Sequence, residues 1–207
     1  MGTDCPVEFR PGRFMAETVL KQWLGSCGFG VKVYHGCRIL FPERLHLGHF
    51  SQIDEGTFIH AGEGVTIGNH VHLAYGSAIL GGGKCLIHDF AGISPGARLI
   101  TGTDNPDGSG LIGPTIPASF RAVTRGLVEI QAHALIFANA TILPNVTIGE
   151  GSVVAAGAIV HHSLKPWGIY AGSPLVQIGV RPAEKIRQLA AELAASEGGF
   201  KPRADRE

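Results

Sequence analysis

The chain has 207 residues, 30 of them glycine, with 7% aromatics, which suits one turn-dense domain better than a helical bundle. Lys plus Arg number 17, as do Asp plus Glu, so no global basic field points to nucleic acid or an anionic membrane. No apolar run approaches the ~18 residues of a membrane span, and the opening Met1-Gly-Thr-Asp-Cys-Pro-Val-Glu lacks the basic start and apolar core of a secretion signal. A soluble, cytoplasmic protein is the expectation. Cys5, Cys27, Cys37 and Cys85 show no C-x-x-C spacing, so free thiols in a reducing compartment are expected rather than a zinc knuckle or a disulfide framework.

Residues 1–30 read as an N-terminal cap. Within it, 13–24 carries Phe14, Leu20, Trp23 and Leu24 on one helical face and stops at Gly25. Such a helix can cover an open sheet end, where unpaired strand edges are a liability. Residues 31–46 alternate loosely, as an irregular first coil would.

A six-residue repeat then governs the chain. Its clearest run is Ile130, Ile136, Ile142, Ile148, Val154 and Val160. Upstream it recurs as Leu47, Ile53, Ile59, then Ile67, Leu73, Ile79, then Ile87, Ile93, Leu99. Two-residue slips fall at Val65-Thr66 and around Gly81-Gly82-Gly83. A period of six fits neither a helix nor one amphipathic strand. It fits a short strand and a fixed turn, stacked so that neighbouring coils complete one another's core. A second inward column is small or apolar, including Thr57, Ala91, Ala97, Ala134, Ala140 and Ala158. The predicted fold is an all-β solenoid over 31–180.

The repeat stops from Gly102 to Gly126, a segment holding Gly113-Pro-Thr-Ile-Pro. A long aperiodic loop inside a compact repeat fold is usually functional or disordered. Proline and the apolar Leu111, Ile112 and Ile116 favour order. Residues 181–207 read as a C-terminal helix and a charged tail. Pro182 opens the helix, Ile186, Leu189 and Leu193 lie on one face, and Gly198-Gly199 end it.

The hexapeptide pattern resembles the left-handed parallel β-helix acyltransferases, over about residues 30–180. The resemblance implies acyl-coenzyme A as co-substrate, no metal, and a homotrimer with active sites between subunits. Ala155-Ala-Gly, Lys165-Pro-Trp and Tyr170-Ala-Gly-Ser-Pro are similar to the family's last-coil pattern. By that resemblance Ala156, Gly157 and Gly172 would let backbone approach the pantetheine arm, and Lys165 and Arg181 would meet phosphates. The plainer reading makes these corner fillers and surface charges. Closer resemblance lies with nucleotide-linked amino-sugar N-acyltransferases of the anthrose type. It is carried by Ile53-Asp-Glu, His72-Leu-Ala-Tyr, Gly81-Gly, Asp89-Phe-Ala-Gly-Ile-Ser and Gly113-Pro-Thr-Ile-Pro. It makes Asp54, Asp89, Ser94 and Pro114 candidate substrate contacts, although turn carboxylates are often only structural.

Many sugar O-acetylating relatives carry a histidine near a Thr-Gly-His sequence. Here the stretch is Leu99-Ile-Thr-Gly-Thr-Asp-Asn, and residues 99–126 hold no histidine. An alcohol needs a base, worth roughly 10²–10⁴ in rate. An unprotonated amine can attack without one. The site therefore leans toward N-acyl transfer to a nucleotide sugar. His72 and Asp104 are the candidates for a base or amine-positioning group. Their plainer readings are a surface histidine and an Asx-turn residue before Asn105-Pro106. Two alternatives stay open: an O-acetyltransferase on a glycan or small-molecule hydroxyl, and a non-catalytic β-helix scaffold. A zinc hydratase is disfavoured, because its H-x₄-H pair is missing from the ten histidines.

Overall fold

A computed structural model describes residues 12–197. Helix α1 (Glu17–Trp23) starts later than the sequence suggests. Phe14, expected on its apolar face, instead pairs as an antiparallel bridge with Tyr34. Glu17 and Lys21 pair at 2.6 Å one turn apart on α1, a weak helix-stabilising contact. Leu20 (2% exposed) and Leu24 are buried at the open end of the solenoid.

The body is a left-handed parallel β-helix of about seven turns. Three parallel sheets form its faces. Face 1 holds Ser26–Cys27, Leu45–Leu47, Val65–Ile67, Cys85–Ile87, Val128–Ile130 and Val146–Ile148. Face 2 holds Lys32–Val33, Gln52–Ile53, His72–Leu73, Gly92–Ile93, Leu135–Ile136, Val153–Val154 and Gly168–Ala171. Face 3 holds Arg38–Leu40, Phe58–His60, Ala78–Leu80, Arg98–Ile100, Thr141–Ile142 and Ile159–Val160. Strand Val176–Val180 turns back antiparallel on Gly168–Ala171. The first coil thus already opens at Ser26.

Every large aliphatic of the repeat, from Leu47 to Val160, is at most 3% exposed, and the small column with Thr57, Ala97, Ala140 and Ala158 is buried too. Each fully buried Ile or Leu contributes roughly 1.5–3 kcal/mol. Cys85 sits in this column between Val65 and Val128, and burial pushes its thiol up to about 12. Cys27, Cys37 and Cys85 are free thiols; Cys5 lies outside the described residues.

The two slips do not leave the stack. Both lie where face 3 passes to face 1, and each widens that corner by two residues. Register is kept across them: Leu45 pairs with Val65, and Val65 with Cys85. The long insertion leaves from the same corner. Gly81 has φ +102° and backs onto the Gly102 backbone, leaving no room for a Cβ.

Helix α2 (Glu184–Glu197) lies along the corner between faces 1 and 2, with Ile186, Leu189 and Leu193 turned toward Phe90 and His133. Its predicted stop at Gly198-Gly199 falls outside the described residues. Among the described residues no helix is long and apolar enough to cross a membrane.

Candidate active site

The prism has three edges, and the candidate residues divide among them. Asp54, Ser94 and the pair Ala156 and Gly157 lie along the edge between faces 2 and 3, each two coils above the one before. Gly172 follows the last strand of face 2. Asp89 and Lys165 sit on the edge between faces 1 and 2. Asp104 and Pro114 belong to the insertion on the edge between faces 3 and 1.

On the outer side of face 2, Gln52, His72, Gly92, Leu135, Val153 and Ile169 stack in register. The column is polar up to His72 and apolar from Leu135. Its polar half holds a hydrogen-bonded set. His72 Nε2 lies 2.8 Å from Asp54 Oδ2, and Gln52 Nε2 donates to Asp54 Oδ1 at 2.7 Å. The His72 and Asp54 side chains are 50% and 25% exposed, so the pair is open to a ligand. His72 projects outward from regular strand, not from a slip. Ser94 occupies the edge two coils above Asp54, beside Gly92.

Asp89 is committed to its corner. Its Oδ1 accepts the Asn69 backbone N–H at 2.7 Å and its Oδ2 the Asn69 amide at 3.1 Å. The Arg181 guanidinium likewise donates to the carbonyls of His133 and Gly151, at 2.8 and 3.2 Å. Lys165 is exposed; its carbonyl accepts from Ser152 Oγ at 2.7 Å and its N–H donates to Tyr170 Oη at 3.1 Å.

Ala156 and Gly157 are exposed at the top of their edge, and a Cβ on Gly157 would meet only open space. The Gly157 N–H donates to Ala138 O at 2.9 Å, so that amide cannot serve a ligand. The Ala156 N–H has no partner among the described residues.

The insertion is an antiparallel ribbon, Gly102–Asp104 against Val123–Arg125. Asp104 Oδ1 accepts from Arg121 Nη2 at 2.7 Å, and Oδ2 from the Gly113 N–H at 3.2 Å. The Arg121 hydrogen bond, helped by Gly113, holds the Asp104 carboxyl below the usual carboxylate range. That makes it a poor base and a ready anion. Pro114 is exposed beyond this clasp. Among the described residues no three His, Cys, Asp or Glu side chains gather to hold a metal ion.

Sequence reasoning missed a ladder on the edge between faces 1 and 2. Phe50, His70, Phe90, His133 and Trp167 all have φ between 54° and 62°. Their rings stack: Phe50–His70, His70–Phe90 and Phe90–His133 are each 5.1 Å apart, and Trp167 follows His133 at 6.3 Å. The Arg187 guanidinium of α2 caps Trp167 at 5.0 Å, and His70 meets Glu197 at 2.9 Å. The signal was present as Phe50, His70 and Phe90, twenty residues apart.

A prism of six-residue units with a side insertion and an exposed small-residue edge is the architecture of hexapeptide transferases. The bacterial transferase hexapeptide family (six repeats) matches residues 128–162. AntD, an N-acyltransferase from Bacillus cereus solved with dTDP and 3-hydroxybutyryl-CoA, is 33% identical with a TM-score of 0.85. The match covers 91% of this chain and 100% of AntD. The dTDP-4-amino-4,6-dideoxy-D-glucose acyltransferase of Escherichia coli is 28% identical over 92% of this chain and 96% of its own. The hexapeptide-repeat acetyltransferase VCA0836 from Vibrio cholerae, 19% identical with a TM-score of 0.53, shares the fold. The chain belongs to the hexapeptide-repeat acyltransferases, in the N-acyltransferase family of AntD.

Proposed function

We propose that the protein transfers an acyl group from acyl-coenzyme A to the amine of a dTDP-linked deoxyamino sugar. One observation carries the reading: the likeness to AntD runs over 91% of this chain at 33% identity. AntD variants have been solved with dTDP-4-amino-4,6-dideoxyglucose and coenzyme A.

The neutral amine attacks the thioester carbonyl. A C–N bond forms and the carbonyl oxygen becomes an oxyanion. Collapse breaks the C–S bond and expels the coenzyme thiolate. The proton lost by nitrogen goes to the thiolate, directly or through a protein base. The unpartnered Ala156 N–H is the amide for the oxyanion, a contact worth roughly 3–4 kcal/mol elsewhere. Ala156, Gly157 and Gly172 border the pantetheine arm, and the exposed ammonium of Lys165 is left for phosphate. Arg181, its guanidinium turned into the corner, holds α2 to the prism.

Ser94 hydrogen-bonds the acceptor amine, and His72 with Asp54 lies beside it. AntD has been crystallised with a serine substituted and with an aspartate substituted, ten residues apart in its sequence. Ser94 and Asp104 have the same separation. Asp104, an anion already clasped by Arg121, orients the sugar rather than taking its proton, and Pro114 shapes that loop. Asp89 is structural.

A homotrimer would bring the edges of neighbouring subunits together. The outer side of face 3 supports it: Leu40, 39% exposed, shares an outward column with His60, Leu80 and Ile100, and Ile159, 48% exposed, stands in the neighbouring column above Arg98 and Thr141. The free thiols suit a reducing cytoplasm. By this reading α1 caps the helix, the coils from Ser26 to Val180 form the catalytic prism, and α2 braces one edge.

The test is a thiol-release assay with acetyl- and 3-hydroxybutyryl-coenzyme A against dTDP- and UDP-amino sugars, with the product identified by mass spectrometry. N-acylated dTDP sugar is the expected product. Turnover on hydroxyl acceptors alone would make the protein an O-acyltransferase. Calorimetry without coenzyme A binding would make it a scaffold.

A further inference from the structure

The outer face of the second and third coils carries an arrangement beyond the residues assigned above. Gln52 and His72 are adjacent rungs in register. Asp54, two residues along from Gln52, bridges them. It accepts the Gln52 amide on Oδ1 at 2.7 Å and faces His72 Nε2 with Oδ2 at 2.8 Å. An ionised carboxylate only accepts hydrogen bonds. A neutral imidazole facing it must therefore carry its proton on Nε2. Its Nδ1 is then a lone pair with nothing to donate. Above His72 the column continues with Gly92, which has no side chain, and Ser94 lies at the adjoining edge.

We propose that Gln52 and Asp54 are positioning residues that hold His72 as its Nε2–H tautomer, so that Nδ1 accepts a hydrogen bond from the acceptor amine beside Ser94. This rests on the amine-acylating reading. Gln52 fixes which Asp54 oxygen faces the ring. Asp54 fixes the ring's orientation and tautomer. When nitrogen attacks, its surplus proton passes to Nδ1, the imidazolium is stabilised by Asp54, and the proton leaves to the departing thiolate. Nothing is oxidised or reduced, and His72 ends as it began.

The Gln52 amide makes one variant diagnostic. In Asp54→Asn, Gln52 still donates to the side-chain oxygen, so the new NH₂ points at His72. The ring must then accept on Nε2 and carry its proton on Nδ1. The measurement is ¹⁵N imidazole NMR at pH 8, with the His72 signal assigned by its loss in His72→Asn, alongside steady-state kinetics. Wild type is expected as Nε2–H and Asp54→Asn as Nδ1–H, with kcat about 10²-fold lower, the low end of a positioned base's contribution. Adding Gln52→Leu frees the amide to rotate and is expected to return a mixed tautomer and part of the lost kcat. An unchanged tautomer in Asp54→Asn overturns the proposal. A flipped tautomer with unchanged kcat upholds the positioning and instead removes His72 from the chemistry, and absent amine turnover in the wild type overturns the acylation reading while the NMR result stands.

Discussion

The guanidinium of Arg121 and the carboxylate of Asp104 close the base of the insertion, Nη2 to Oδ1 at 2.7 Å. The same aspartate receives the Gly113 N–H, so one side chain ties both limbs of the ribbon to the turn at its tip.

The folded Asp104 carboxyl is held below its unfolded range, so this clasp contributes fully above about pH 4 and is lost as pH falls through the lower folded value. Limited proteolysis of residues 102–126 should accelerate on acidification. Arg121→Leu should show the faster cleavage already at pH 7, with KM for the nucleotide sugar raised and KM for acyl-coenzyme A unchanged. Equal cleavage at pH 7 would show that the clasp is dispensable.

Ser94→Ala removes the hydrogen bond proposed to the acceptor amine without disturbing the buried columns. The expected loss in kcat/KM for the sugar is about 2- to 10-fold, matching roughly 0.5–1.5 kcal/mol for a neutral bond. Asp104→Asn should cost more, because it also weakens the hold on Arg121. Kinetics with a fixed, saturating acyl donor separate the two.

Ala156→Trp places bulk on an exposed edge residue outside the core. Folding should be unaffected by circular dichroism and Tm, while calorimetry should show coenzyme A binding weakened by at least about tenfold, or roughly 1.4 kcal/mol. Unchanged affinity would move the pantetheine arm off this edge.

The aromatic ladder should matter to stability and not to turnover. Phe90 stacks between His70 and His133. Phe90→Asn keeps a residue tolerant of positive φ and deletes both stacks, at about 0.5–1.5 kcal/mol each. Denaturant unfolding should show a loss of about 1–3 kcal/mol, with kcat near wild type.

If face 3 meets its neighbours, Ile100→Glu buries a charge between subunits, a strongly unfavourable placement. Light scattering should then report a smaller species than wild type, and activity should fall with it.

The prism was readable because a column of branched aliphatics at every sixth residue admits few other arrangements, and Leu47 through Val160 all prove buried. The helix at Glu17 was misjudged at its start because Phe14 is apolar for pairing with Tyr34, and hydrophobicity alone does not say which partner is meant. Arg181 shows the same limit. A basic residue near a family motif reads as a phosphate ligand, yet here its donors satisfy two corner carbonyls. His72 and Asp54 could each be singled out from the chain. Their contact could not, because it depends on the twenty-residue coil that sets Gln52 directly beneath His72. The Gly157 amide is a similar case, spent on the carbonyl of Ala138 one coil below.

The ends of the insertion meet where they leave the stack: the Gly126 N–H donates to Thr101 O at 2.9 Å. Below that point the coils run twenty residues, and directly above it eighteen, as the pairings Leu45–Val65 and Val128–Val146 record. The segment therefore spans a seam between two gauges of the same spiral without either gauge having to bend. Doubling a loop whose ends are already joined costs only about 0.6 kcal/mol. Residues 102–126 thus form a cassette whose length, outside the Asp104–Arg121 clasp, can change while the prism beneath keeps its shape.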